Sequence, residues 1–239
     1  MDPRIDELKA LLKAEGLNAP PDFAEKLLHF ERLLLETNRV MNLTAITEPW
    51  DMMKKHYWDS IYPLSRGWIG RGQRIIDVGC GAGFPSLPLK LMEPSLDFTL
   101  MDSLEKRLRF LNRVIAELQL EKIQTCHQRA EAAGKDPLYR ERYDIAVSRA
   151  VAELPKLCEY CLPLIRPGGA LIAYKGAGAQ EELSRAQSAV YKLGGKAEQL
   201  LQYTLPGEED RRALILIRKE RPTPKQYPRQ QKQIKDNPL

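Results

Sequence analysis

The chain has 239 residues, 43% of them hydrophobic, and a net charge of +5, so it can bury one sizeable core and a small accessory lobe. No apolar run approaches the roughly 18 to 20 residues that a membrane-spanning helix needs. The first residues, MDPRIDELK, also lack the apolar centre of a signal peptide. This composition argues against a membrane protein, and we expect a cytoplasmic protein with no membrane partner.

The first part of the chain predicts a helical lobe over residues 1–71. Apolar residues recur with helical spacing at its start, at Ile5, Leu8 and Leu12. A second helix is expected after Pro20-Pro21, with Asp22 placed to cap it and Glu25 three residues on. A third helix is predicted from Met52 to Tyr62. We therefore expect an N-terminal helical extension leading into a different kind of structure.

Residues 72–218 predict an α/β domain. Short apolar runs alternate with helical segments, at 74–78, 96–101, 122–127, 143–149 and 169–174. This rhythm is typical of a mostly parallel, doubly wound, Rossmann-like sheet. Two further strands, 197–205 and 212–218, are separated only by PGEEDR, which is too short for a crossover helix. They predict an antiparallel hairpin at one edge of a seven-stranded sheet.

The C-terminal residues 219–239 are predicted to form a basic arm. Between Arg218 and Lys235 there are seven Lys or Arg residues against one acidic residue, Glu220, together with three prolines and almost nothing apolar. Such a composition favours an extended segment that binds a polyanion. The alternative is a solvated terminus without a function.

A glycine-rich loop follows the first predicted strand in "RIIDVGCGAGFPSLPLK". Gly79, Gly81 and Gly83 can adopt positive φ and let a small ligand approach the backbone. A dinucleotide-binding fingerprint would need a glycine at position 84, which is Phe84, so an NAD site is not predicted. Asp77, at the tip of the strand, can orient the loop or meet an ammonium group.

A second carboxylate, Asp102, ends the next predicted strand. At that tip it would meet the ribose hydroxyls of a bound nucleoside. Asp102 could instead cap the helix that starts near Ser103. The two roles are compatible.

The four cysteines predict reduced, buried thiols and no metal site. Cys158 and Cys161 form one CxxC, but there is no second pair, and the three histidines are far apart in the sequence. Two thiols one turn apart on a helix are the simpler interpretation.

Several motifs resemble those of a known family. D-x-G-x-G-x-G, from Asp77, resembles motif I of the S-adenosylmethionine-dependent methyltransferases. Nearly the whole chain is similar to the RsmG (GidB) family of bacterial 16S rRNA guanine nitrogen-7 methyltransferases, through "NLTAI" (42–46), "HYWDS" (56–60), "DVGCGAGFP" (77–85), "DSLEKRLRFL" (102–111), "RAE" (129–131), "SRAVA" (148–152), "YKG" (174–176) and "TPKQYPR" (223–229). Two features depart from the family pattern: Ser86 replaces a glycine, and "QQKQIKDNPL" lacks the usual Gly-Thr-Pro.

The resemblance implies a class I methyltransferase that uses S-adenosyl-L-methionine and modifies a guanine of the 527 type. It implies cofactor contacts at Gly79, Phe84, Asp102, Ala130, Glu131 and Arg149, to which the loop and strand tips add Asp77, Gly81, Gly83 and Ser103. The predicted substrate contacts are Arg149, Lys175, Lys225 and Arg229. An internal ion pair of Arg149 stays an alternative.

Guanine nitrogen-7 carries a lone pair and no proton, so no general base is predicted. His56 and Asp59 are therefore interpreted as a local helix-stabilising pair. The expected partner is 16S rRNA or the small-subunit particle, and the protein is expected to be a monomer. Two alternatives remain: a small-molecule methyltransferase, or an RNA-binding module with a vestigial cofactor loop.

Overall fold

A computed structural model describes residues 2–239 of the chain. The helices are α1 (Pro3–Ala14), α2 (Phe23–Met41), α3 (Pro49–Asp51), α4 (Asp59–Ser65), α5 (Ser86–Met92), α6 (Glu105–Glu117), α7 (Ala130–Ala133), α8 (Leu154–Cys161), α9 (Ala179–Lys192) and α10 (Gln231–Asp236). A π-helical segment, Met52–Trp58, joins α3 to α4, and a 3₁₀ turn, Leu162–Leu164, follows α8. The strands are β1 (Arg74–Val78), β2 (Asp97–Asp102), β3 (Ile123–His127), β4 (Tyr143–Arg149), β5 (Ile165–Gly176), β6 (Gly195–Thr204) and β7 (Arg211–Lys219).

One seven-stranded sheet has the order β3-β2-β1-β4-β5-β7-β6. Strands β1 to β5 are parallel, whereas β7 pairs antiparallel with both β5 and β6. The order reverses between β1 and β4, which places a crevice at the carboxyl ends of these strands. The predicted α/β fold and the antiparallel hairpin at one edge are confirmed.

Helices cover both faces of the sheet. Because side chains alternate along a strand, Ile75 and Ile76 of β1 enter two different cores. Ile75 packs in the core that also contains Phe23, Phe30 and Met52 of the N-terminal helices. That core therefore fixes the N-terminal helices to the sheet and brings the π-helical segment close to the ends of β1 and β4.

The predicted N-terminal helices are present, with two differences at the level of single residues. Asp22 does not cap α2; its carboxylate instead lies 2.6 Å from Lys26 Nζ on the same helix. The predicted helix over 52–62 begins as the π-helical segment and continues as α4. Such π-helical turns often occur at functional sites.

The C-terminal arm is largely exposed, but buried residues anchor it to the domain, which its composition did not predict. Lys219 has no exposed surface, and its Nζ donates to Leu162 O at 2.5 Å and to Thr223 Oγ1 at 2.6 Å. Tyr227 and Ile234 are buried as well. A few well-separated anchors therefore hold this polar segment against the domain.

Arg229 provides the strongest of these anchors. Its Nη2 lies 2.7 Å from Glu159 Oε2, and the side chain of Glu159 is fully buried in α8. A buried carboxylate needs such a partner, and α8 lies far from Arg229 in the sequence. The charge pattern of the arm could not reveal this contact.

The described part of the chain has no helix long and apolar enough to cross a membrane. Within residues 2–239, no three His, Cys, Asp or Glu side chains are grouped as metal ligands would be. All four cysteines are free and buried, and Cys158 and Cys161 lie one turn apart in α8, as predicted.

Candidate active site

A cavity of about 800 Å³ opens at the carboxyl edge of the sheet. This volume is within the roughly 300 to 1,000 Å³ usual for small-ligand sites. The tips of four parallel strands contribute to its wall. The predicted cofactor residues in that wall are Gly79, Gly81, Phe84, Asp102, Ser103, Ala130, Glu131 and Arg149. Asp77 and Gly83 do not line it.

The glycine loop is bonded to the neighbouring strand β2. The amides of Gly79 and Cys80 donate to Met101 O at 2.9 and 3.0 Å, and the amide of Gly81 donates to Asp102 Oδ2 at 3.1 Å. Gly79 and Gly81 have φ angles of +76° and +54°, which L side chains rarely adopt. Since these N–H groups bond within the protein, the loop does not form the phosphate cradle of a dinucleotide site.

Gly83 serves packing behind the loop. Its φ is +94°, and a Cβ at this position would lie 2.5 Å from Leu87 and 2.9 Å from Leu111. The helix α5 can approach the loop only because that side chain is missing. The structure thus places Gly83 against the core, away from the cavity.

Asp77 is fully buried under the loop. Ser86 Oγ donates to Asp77 Oδ2 at 2.5 Å, and Oδ1 has no hydrogen-bond partner within residues 2–239. Burial raises the pKa of the Asp77 carboxyl to about 7. Asp77 bonds to the first residue of α5, directly after the loop, and does not line the cavity, so its role in orienting the loop stays a prediction. Ser86, which departs from the family pattern, supplies a hydrogen bond that glycine could not.

Asp102 is nearly buried, at 3% exposure, yet it reaches the cavity. Its Oδ1 accepts from the Leu104 amide at 2.9 Å, and Oδ2 lies 3.2 Å from Arg107 Nη1. Asp102 thus organises the turn before α6 while presenting a carboxylate to the cavity. Asp102 therefore orders the turn that precedes α6, and its contact with a ribose stays a prediction.

Arg149 forms the internal ion pair that the sequence left open. Its Nη1 lies 3.1 Å from Asp59 Oδ2 and donates to Lys55 O at 3.2 Å. Tyr203 OH donates to the other oxygen of Asp59 at 2.6 Å. The helical stretch from 52 to 65 therefore holds this guanidinium at the wall of the cavity, and Tyr203 of β6 holds Asp59 in turn.

His56 completes the surroundings of Arg149. Its Nδ1 lies 3.3 Å from Arg149 Nη2, and its Nε2 lies 2.8 Å from Thr44 Oγ1. Burial, followed by the charge of Arg149, lowers the pKa of His56 to about 3, so the ring is neutral at pH 7. An arginine only donates, so Nδ1 accepts and the Nε2–H donates to Thr44. The ring stacks on Phe84 with centroids 4.2 Å apart.

The interpretation of His56 and Asp59 as a pair with each other is wrong. Both side chains bond to Arg149 instead. His56 and Asp59 lie on one helical face, but their common partner, Arg149, comes from β4. The spacing of residues within one helix cannot reveal a partner from another element.

Sequence reasoning missed part of the wall. The additional lining residues include Leu43, Thr44, Ile46, Lys156, Arg212 and Gln231. The first three lie in the "NLTAI" motif, whose position in a loop after α2 was a usable signal. No sequence signal pointed to Arg212 or Gln231, because they reach the cavity only when β7 and the C-terminal segment fold back towards it.

The predicted substrate residues lie in different surroundings. Lys175 is 9% exposed, and its Nζ lies 2.6 Å from Glu182 Oε2 beside a second, smaller cavity. Arg149 borders both cavities. Lys225 is exposed and Arg229 is bonded to Glu159, and neither lines either of these two cavities.

The sheet order, the glycine loop after β1 and the acidic tip of β2 define a Rossmann-like methyltransferase. A solved SAM-dependent methyltransferase from Methanosarcina mazei has the same fold, with a TM-score of 0.53 and 15% identity over 66% of this chain and 98% of that chain. At this identity the likeness concerns the fold alone.

The particular family follows from the sequence comparisons. The family model GidB, rRNA small subunit methyltransferase G, matches residues 23–212. Ribosomal RNA small subunit methyltransferase G of Symbiobacterium thermophilum is 48% identical over 223 residues, 91% of either chain. That of Acetivibrio thermocellus is 44% identical over 245 residues and covers both chains fully. The chain belongs to the rRNA small subunit methyltransferase G family, which confirms the resemblance seen in the sequence.

Proposed function

We propose that the chain transfers a methyl group from S-adenosyl-L-methionine to nitrogen-7 of a 527-type guanine in 16S rRNA. The observation that carries this proposal is the cavity at the carboxyl edge, where Gly79, Asp102 and Arg149 meet. Family membership supports small-subunit rRNA as the substrate.

The lining residues fit this cofactor. Gly79 and Gly81 lie in the wall, where a ligand's amino-acid end can approach the backbone, and the Asp102 carboxylate retains acceptor capacity for a ribose hydroxyl. Ala130 and Glu131, after β3, would border the adenine. When bound, S-adenosylmethionine supplies a methyl group on a positively charged sulfur.

The surrounding residues suit a reaction that needs no general base. His56, the nearest imidazole to Arg149, is neutral, and both of its nitrogens are already hydrogen-bonded. Nitrogen-7 of guanine attacks with its own lone pair and has no proton to lose. The role of these side chains is therefore to hold the reactants in position and to shape the local field.

The wall of the cavity is suited to an RNA substrate. Six Lys or Arg residues line it against four Asp or Glu residues. An excess of cations at this wall favours binding of the phosphates that flank an exposed base.

A methyl-transfer assay tests the proposed function. Under-methylated small-subunit RNA and particles would be incubated with tritiated S-adenosylmethionine, and the nucleosides then analysed by mass spectrometry. The expected product is 7-methylguanosine in the RNA. Label in small molecules alone would support a small-molecule methyltransferase, and cofactor-independent RNA binding without transfer would support a binding module.

Asp102→Ala should weaken S-adenosylmethionine binding by about 1 to 3 kcal/mol, because a charged hydrogen-bond partner is lost. Titration calorimetry measures this. Asp97→Ala is the matched control, since Asp97 starts the same strand and forms only an exposed ion pair with Arg74 at 3.7 Å. If Asp102 only organises its turn, thermal stability will fall and the affinity will hold.

The exposed lysines of the C-terminal segment should contribute to RNA affinity. Converting Lys225, Lys232 and Lys235 to Gln should flatten the slope of log affinity against log salt by up to about 2 to 2.7 units, at roughly 0.7 to 0.9 per phosphate. Point substitutions are preferable to deleting 223–239, because deletion would strand the buried carboxylate of Glu159.

Filter binding at several salt concentrations measures this slope. The control changes Lys122, Lys192 and Lys196, which are equally exposed but lie outside the C-terminal segment, to Gln. If the slope of log affinity against log salt is the same in the C-terminal variant and in the control variant, the C-terminal segment does not contact RNA.

A further inference from the structure

A second cavity, of about 390 Å³, lies next to the first. The two share Asp59, Arg149, Arg212 and the strap Ala150–Glu153, which follows β4. We propose that this second cavity holds the target guanine and that the ion pair of Lys175 and Glu182 reads its Watson–Crick edge. The proposal rests on the guanine nitrogen-7 function proposed above and names the residues that select the base.

The ion pair leaves one donor and one acceptor unused. Lys175 Nζ donates to Glu182 Oε2 at 2.6 Å and to Ala152 O at 2.7 Å, so one of its three N–H groups remains. Glu182 Oε2 also accepts from the Leu154 amide at 2.8 Å, whereas no hydrogen bond within residues 2–239 engages Oε1. An ammonium donor and a carboxylate acceptor therefore stand side by side in the cavity.

This arrangement matches guanine and opposes adenine. Guanine presents the acceptor O6 beside the donors N1–H and the 2-amino group. In the proposed fit the Lys175 ammonium donates to O6, and Glu182 Oε1 accepts from both N1–H and the 2-amino group. Adenine presents a donor amino group beside the acceptor N1. Its amino group would face the Lys175 ammonium, which is also a donor, and its N1 would face the Glu182 carboxylate, which is also an acceptor. Reading this edge also leaves nitrogen-7, which lies on the adjacent Hoogsteen edge, free of hydrogen bonds.

The charges of the cavity favour a base over a phosphate. Three carboxylates, from Asp59, Glu153 and Glu182, line it together with three cations, from Arg149, Lys175 and Arg212. This balance suits an uncharged ring with polar edges. A phosphate there would meet three carboxylates.

Glu182→Gln tests the assignment because it keeps the structural bonds. The amide oxygen can still accept from Leu154 and Lys175, while an NH₂ donor replaces Oε1. The probe is small-subunit RNA, ligated so that the target position carries guanine or inosine, which lacks only the 2-amino group. For the wild type, inosine should lower kcat/KM about tenfold or more, the scale of a charged hydrogen bond. In Glu182→Gln, kcat/KM with guanine should fall by a similar factor, and the guanine-to-inosine ratio should approach one.

The control is Glu181→Gln, an exposed neighbour on the same helix turn with the same charge change. It should retain the wild-type ratio, and both variants should retain the S-adenosylmethionine affinity. A guanine-to-inosine ratio of kcat/KM near one in the wild type overturns the proposal, even if the variant fails to fold. A folded Glu182→Gln protein that keeps the wild-type guanine-to-inosine ratio overturns it as well. Absence of 7-methylguanosine from the wild-type reaction on guanine RNA would instead reject the underlying function, and this assignment with it.

Discussion

Gly79→Val is expected to weaken the affinity for S-adenosylmethionine by about 100-fold or more, while the protein remains folded. The φ of Gly79 is +76°, and a Cβ there would overlap Cγ2 of Val151 in the strap that borders both cavities. A branched side chain must therefore displace the side chain of Val151 or shift the loop. Either movement changes the wall that the ligand contacts, in addition to the roughly 1 to 3 kcal/mol of backbone strain.

A matched control separates strain from the site. Gly67 has a φ of +68°, and a Cβ there meets no atom within 4 Å. Gly67→Val should thus lose similar stability in a thermal melt and keep the affinity measured by calorimetry. Unchanged affinity in a folded Gly79→Val protein would remove the glycine loop from the site.

Asp59→Ala is expected to lower the free energy of unfolding by about 3 to 5 kcal/mol, the usual effect of leaving one member of a buried ion pair alone. Asp59 is 3% exposed and Arg149 16%, so water cannot replace the carboxylate easily. The hydroxyl of Tyr203 loses its acceptor in the same variant. Because Arg149 borders both cavities, S-adenosylmethionine affinity and methyl transfer should fall as well.

Urea unfolding measures this difference. Asp51→Ala is the control, since Asp51 pairs with Lys55 at 3.0 Å on the surface, and such pairs contribute less than about 1 kcal/mol. Combining Asp59→Ala with Tyr203→Phe should add little further loss, because both changes remove the same bond. Equal losses for Asp59→Ala and Asp51→Ala would mean that Arg149 does not depend on Asp59.

The surroundings of Arg149 also explain why a histidine beside the site is not a base. Protonating His56 would place a second positive charge in contact with the guanidinium inside a buried network. The ring instead accepts from Arg149 and stacks on Phe84. The role of His56 is therefore to hold the Arg149 guanidinium and the Phe84 ring in place.

The strands could be predicted from the sequence because their signal is local. RIIDV and YDIAVSR coincide with β1 and β4 to the residue, since apolar runs of this length between helices suit buried parallel strands. The short PGEEDR connection likewise required an antiparallel hairpin. The glycine loop and Asp102 were found for the same reason: they lie at strand tips, and parallel strands bring their tips to one edge.

The choice of partner for each buried charge was decided only by the tertiary structure. Arg149 meets Asp59 across 90 positions of sequence, and Arg229 meets Glu159 across 70. Periodicity and composition report which face of an element is buried, but not which charges are desolvated together. A basic arm therefore resembled a solvated tail, although one of its arginines neutralises a buried carboxylate. The strap, the second cavity and the unused oxygen of Glu182 arise in the same way, because they exist only where separate elements meet.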